Sequence, residues 1–218
     1  MSDYGIVFDF DGTICLSETV HMDAWVVVAR QLGLPLPEGF VDDGVGVADT
    51  ILANHLQGLW GEKLSAGEIF QLKATEFRSR DASVFPLVPG VIRFMQLVKA
   101  HGIPMALATS SSLADITPVF SRWSMEKYFS AVFTIESVVQ PKPEPEVYLK
   151  ASKALNLDPR QVFVFEDSIP GVCSARVAGC RVIGVGTTYL ASDLGELHDY
   201  IDTFDDSLRI WQSISNSK

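Results

Sequence analysis

Residues 6–13, Ile6-Val7-Phe8-Asp9-Phe10-Asp11-Gly12-Thr13, place two aspartates one residue apart where an apolar run meets a glycine turn. A short apolar run without alternation reads as a strand buried on both faces, the kind found inside a parallel sheet. Two carboxylates at the end of such a strand are costly to bury unless a cation or hydrogen-bond donors meet them. A divalent metal, which prefers carboxylate and carbonyl oxygens, answers that need. The plainer alternative is a tight bend in which Asp11-Gly12 supplies the turn. Against it, Asp9 lies within the apolar run, where an unpaired charge is rarely tolerated.

Later segments repeat the pattern. Pro104-Met105-Ala106-Leu107-Ala108 leads into Thr109-Ser110-Ser111-Ser112, and Val162-Phe163-Val164-Phe165 leads into Glu166-Asp167-Ser168. Ala131–Thr134 is a shorter run, and Arg181–Val185 closes the series. Helical stretches alternate with these strands: Val91–His101 ending at Gly102, Glu146–Leu155 with Val147, Leu149 and Leu155 for a buried stripe, and Pro170–Ala178 stopped by Gly179. That alternation predicts an α/β fold, a doubly wound, Rossmann-like parallel sheet with right-handed crossovers. In such sheets ligands bind beyond the carboxyl ends of the strands, where Asp9, Asp11, Thr109, Ser110, Glu166 and Asp167 all fall. Lys142, between Pro141 and Pro143, is the cation expected there, although most lysines are solvated surface residues. The Thr109–Ser112 run and the Glu166-Asp167 pair also suit helix N-caps, and a helix start binds anions as well.

The first crossover is too long for one helix. Residues 15–85 carry helical periodicity over Val20–Leu32, Ala48–Trp60 and Ala66–Arg80, punctuated by Gly and Pro. An inserted all-α domain over 15–85, with the core formed by 1–14 and 86–218, is the expected organisation.

The bulk properties narrow the function. The 218 residues suit one core domain with a small insert, and 47% hydrophobic composition is ample for a core. A net charge of −10 disfavours nucleic acid and anionic membranes as partners. An anionic ligand is still accessible through a metal or a few local cations. Cys15, Cys173 and Cys180 show no paired spacing, so they read as small buried residues in a reducing compartment. The first strand begins almost at once and no run approaches the ~20 residues of a membrane span. A cytoplasmic monomer is expected.

On these residues the chain resembles the haloacid dehalogenase superfamily along its whole length, in the subfamily with a helical cap after the first strand. Asp9-Phe10-Asp11-Gly12-Thr13 matches the first motif, Thr109 the second, Lys142 the third and Glu166-Asp167 the fourth, in that order. The resemblance implies a Mg²⁺-dependent phosphomonoester hydrolase acting on a small-molecule phosphate ester. Asp9 would be the carboxylate nucleophile forming an aspartyl-phosphate, and Asp11 the acid/base. Thr109, Ser110 and Lys142 would hold the phosphoryl group. Asp9, the Asp11 carbonyl and Asp167 would ligate the metal, with Glu166 in or just behind that set. Relatives that keep phosphate on the enzyme, such as P-type ATPases, carry Thr where Asp11 stands. Phosphonate hydrolases carry Ala there, and C2-haloacid dehalogenases lack that aspartate.

Within the superfamily, the likeness is greatest to the β-phosphoglucomutase-like branch, which includes sugar-phosphate phosphatases. Ser17-Glu18, His21 and Trp25 match the start of its cap, and Lys73 with Phe77 matches a later pair. His21 and Lys73 are therefore candidate substrate residues, against the simpler alternative of structural or exposed helix positions. Two departures stand out. Leu16 replaces an Asp or Asn before Ser17, and Val47 aligns where mutases carry an Arg for the distal phosphate. A phosphatase of a sugar or polyol phosphate is therefore expected, with a hexose-phosphate mutase as the alternative. A receiver domain is the non-hydrolytic alternative, opposed by the helical insert and the tight Asp9-x-Asp11 pair.

Overall fold

A computed structural model describes residues 3–61 and 63–215. Its sheet contains β1 (Gly5–Phe8), β2 (Met105–Ala108), β3 (Ala131–Phe133), β4 (Val162–Glu166), β5 (Arg181–Val185) and β6 (Asp199–Ile201). All neighbours pair in parallel, in the order β3-β2-β1-β4-β5-β6. The chain winds outward one way from β1 and the other way from β4, so the switch point lies between these two strands. β1, β2 and β4 are buried throughout, as their unbroken apolar runs require.

Ten α-helices accompany the strands among the described residues: α1 (Glu18–Leu32), α2 (Phe40–Asp43), α3 (Asp49–Trp60), α4 (Ala66–Arg78), α5 (Val91–Ala100), α6 (Leu113–Trp123), α7 (Glu146–Ala154), α8 (Ile169–Val177), α9 (Ala191–Leu194) and α10 (Ser207–Ser215). One sheet face sends Val7, Ala106, Val164 and Val182 into a cluster with Tyr148 and Ala151 of α7 and Val172 and Ala175 of α8. The opposite face stacks Phe8 on Phe165, ring centroids 5.1 Å apart, with Phe94 edge-on and Phe204 tilted against them. α6 starts on a capping box, Ser112 accepting from the Asp115 amide while Asp115 reaches back.

The chain divides into two compact units, one from the segments up to Leu16 and from Pro86 onward, the other from Ser17–Phe85. In the sheet unit, residues 14–16 and 86–88 run side by side. Leu16 N–H donates to Pro86 O at 2.8 Å and Val88 N–H to Ile14 O at 2.9 Å. The helical unit has its own core of Met22, Trp25, Phe40, Leu52, Leu56 and Ile69.

Three expectations are corrected. Arg181–Val185 does not close the sheet, because β6 pairs beyond it. Asp199-Tyr200-Ile201 is a short, half-buried edge strand without the apolar run that marks the others. In α7 the buried stripe is Val147, Tyr148, Ala151 and Ser152, whereas Leu149 is 44% exposed. Cys173 is exposed on α8, while Cys15 and Cys180 are buried.

Candidate active site

β1 delivers Asp9 to the carboxyl end of the sheet, where its amide continues the ladder by donating to Phe165 O at 3.0 Å. The chain then turns. Gly12 N–H donates to Cys15 O at 2.7 Å, and Gly12 adopts φ +72°. A Cβ built on Gly12 would lie 1.9 Å from Asp167 Oδ2, so only glycine lets the turn approach that carboxylate. Glu166 ends β4 and Asp167 follows it. Carboxylate oxygens of Asp9, Glu166 and Asp167 lie within 4.8 Å of one another, all buried.

Lys142 reaches into this cluster. Its ammonium donates to Asp9 Oδ1 at 2.6 Å, Glu166 Oε1 at 2.7 Å and Ala108 O at 3.1 Å. The Lys142–Pro143 peptide is cis. Glu166 also accepts from Tyr148 Oη at 2.9 Å, and its Oε2 accepts from the Ser168 amide and hydroxyl, each at 2.9 Å. Four donors on two oxygens occupy the acceptor capacity of that carboxylate. Gly171 makes room for it, since a Cβ there would meet Glu166 Oε1 at 1.7 Å. Asp167 Oδ2 accepts from Thr188 Oγ1 at 2.5 Å, and Thr187 Oγ1 donates to Gly12 O at 2.6 Å.

Electrostatics mark the cluster as short of positive charge. Burial raises Asp9 to about 8 despite the opposing pull of Lys142, with Glu166 and Asp11 adding to the rise. Burial also raises Asp167, helped by Glu166 and Asp9. Burial alone would lower Lys142, but Asp9 and Glu166 hold it above its ordinary value. The hard oxygens of Asp9 and Asp167 fit a divalent cation, which would supply the missing charge. Burial and then Asp11 push the Cys15 thiol well up, which disfavours its thiolate.

β2 brings Thr109, buried, to the same edge, and its hydroxyl accepts from the Ser111 amide at 3.0 Å. Ser110 follows, exposed. Asp11 is half-buried, and its Oδ2 accepts from Ser111 Oγ. The residues placed by the sequence at this site therefore share one sheet edge in one unit. Ser111, Tyr148, Thr187 and Thr188 join them without a sequence signal beyond polarity beside a motif or, for Tyr148, none.

His21 and Lys73 meet each other in the helical unit. Lys73 is 1% exposed, contrary to the exposed-helix alternative, and donates to Asp49 Oδ2 at 2.5 Å and toward His21 Nδ1. Trp25 Nε1 donates to the other Asp49 oxygen at 3.1 Å, and His21 stacks on Phe77 at 4.0 Å.

A family model described as haloacid dehalogenase-like hydrolase matches residues 6–185. A phosphorylated carbohydrates phosphatase of Thermotoga maritima is 33% identical over 186 residues, 83% of this chain and 84% of that protein. Hexitol phosphatase A of Escherichia coli is 32% identical over 181 residues, covering 83% and 82%. The crystal structure of a putative β-phosphoglucomutase from Thermotoga maritima superposes with a TM-score of 0.81 at 27% identity, covering 96% of this chain and 98% of that one.

Proposed function

The chain belongs to the haloacid dehalogenase-like hydrolases, and from that premise we propose a Mg²⁺-dependent phosphatase of small phosphorylated carbohydrates that works through Asp9. The observation that carries this reading is the buried set of Asp9, Glu166 and Asp167 with Lys142 bonded to two of its members. The relatives that act on phosphorylated carbohydrates and hexitols support the substrate class.

In this reading an Asp9 carboxylate oxygen attacks phosphorus in line as the ester oxygen leaves, forming an aspartyl-phosphate. Asp11 gives its proton to the departing alcohol. It then takes a proton from the water that attacks phosphorus and frees Asp9. Thr109 and Ser110 hold phosphoryl oxygens, and Lys142 fixes Asp9 and offsets its charge. Asp9, Asp167 and the Asp11 carbonyl would hold Mg²⁺, which when bound neutralises charge on the carboxylates and phosphoryl oxygens. Glu166, with its oxygens already engaged, positions Lys142 rather than ligating directly. The helical unit serves as the cap, and His21 and Lys73 are its substrate residues.

The test is phosphate release from a panel of sugar and polyol phosphates, with β-glucose 1-phosphate plus a bisphosphate primer included. The expected result is Mg²⁺-dependent release that drops to background in EDTA and in Asp9→Asn. Undiminished turnover by Asp9→Asn would refute the nucleophile. Isomer product with little free phosphate would replace the hydrolase with the mutase.

A further inference from the structure

Tyr148 has no task in the mechanism above, yet it touches both partners of the central ion pair. It is fully buried on α7. Its hydroxyl donates to Glu166 Oε1 at 2.9 Å, the same oxygen that accepts from Lys142 at 2.7 Å. Its ring lies 5.0 Å from the Lys142 ammonium, within cation–π range.

An ammonium has three protons. Those of Lys142 meet Asp9, Glu166 and Ala108 O, so the two carboxylates compete for one saturated cation. Charge competition of this kind is strong where water is excluded. Each donor on a carboxylate oxygen withdraws charge from it. The Tyr148 hydroxyl therefore weakens the hold of Glu166 Oε1 on Lys142 and leaves the lysine to Asp9. The Ser168 amide and hydroxyl do the same on Oε2, away from the lysine.

We infer that Tyr148 is a positioning residue for the Asp9 reaction: its hydroxyl shares Glu166 with Lys142 so that the lysine stays on Asp9, and its ring backs the ammonium. This rests on Asp9 being the nucleophile. Burial also holds the Tyr148 hydroxyl protonated, followed by the influence of Glu166 and Asp9, so it remains a donor.

Tyr148→Phe removes the hydroxyl and keeps the ring. The expected result is a kcat about tenfold lower, the scale of one hydrogen bond to a charged group, with KM within about twofold. Mg²⁺ affinity, titrated calorimetrically with the metal alone, should stay within about twofold, since no ligand is lost. The ¹⁵N resonance of the Lys142 ammonium should shift in the metal-free variant. In an Glu166→Gln background, where the competing charge is gone, Tyr148→Phe should cost little more. Wild-type kcat in Tyr148→Phe overturns the inference, as does equal loss in both backgrounds. A Tyr148→Phe chain that does not fold overturns it too, because the hydroxyl would then be holding the core. Inactive Asp9→Asn beside normal Tyr148→Phe defeats this inference alone, whereas active Asp9→Asn defeats the phosphatase reading as well.

Discussion

At the residue scale, the crowded carboxylates make stability depend on pH in a direction opposite to that of ordinary salt-bridged acids. Asp9 keeps its proton to about 8 in the folded chain and releases it near 3.8 when unfolded. Between those values the folded state binds more protons, so stability falls as pH rises. Asp167 is shifted the same way. His198, lowered by burial and then by Arg181, works in the other direction below 6.5. The clean window is therefore above it. We predict that in EDTA the melting temperature falls between about pH 6.5 and pH 8, and that saturating Mg²⁺ abolishes the fall by binding the deprotonated form. A flat EDTA profile in thermal scans would contradict this. Asp9, Asp11, Glu166 and Asp167 were legible in the sequence because each is an acid ending an apolar run. Tyr148 was not, because an aromatic in an amphipathic helix looks like core, and only the fold reveals that its hydroxyl meets Glu166. Lys73 was legible only as a candidate, since its burial depends on Asp49 and Trp25, which are distant in sequence, as well as on Phe77 one turn along α4.

At the element scale, the site depends on how β1 and β4 end. The turn after β1 must pass Asp167, and Gly12 is the one residue type that combines φ +72° with the missing Cβ. We predict that Gly12→Ala costs about 1–3 kcal/mol of stability from the positive φ and the displaced carboxylate. Mg²⁺ affinity should fall at least tenfold, measured by calorimetry. Unchanged affinity would mean that the turn does not set the position of Asp167. β1, β2, β4 and β5 were readable because strands buried on both faces leave unbroken apolar runs. β6 and α10 were not. β6 is a three-residue edge that opens on Asp199 and carries no apolar run, and its place follows from pairing with β5.

At the scale of the whole molecule, the two compact units predict separable stability. Leu56 is fully buried in the core of the helical unit. Leu56→Ala should cost about 2–5 kcal/mol, with hydrogen exchange accelerated in α1, α3 and α4 while β1 and β4 stay protected. Equal acceleration in the sheet would show one cooperative unit instead. The insertion was visible in sequence from the length of the first crossover, whereas the short α2 lacks enough residues to show a period. A chain of net charge −10 repels anions at long range, so in the proposed reading capture of a phosphate ester is local, at the carboxyl end of the sheet. That places the weight of the account on Asp9. The most direct test is acid-quench mass spectrometry of Asp11→Asn during turnover of an aryl phosphate with Mg²⁺, whose leaving group departs without the Asp11 proton while slowed water attack lets the intermediate accumulate. The account predicts one phosphoryl group on the peptide containing Asp9, absent when Asp9→Asn is added. A phosphoryl group on another residue, or turnover with none on the chain, would contradict it.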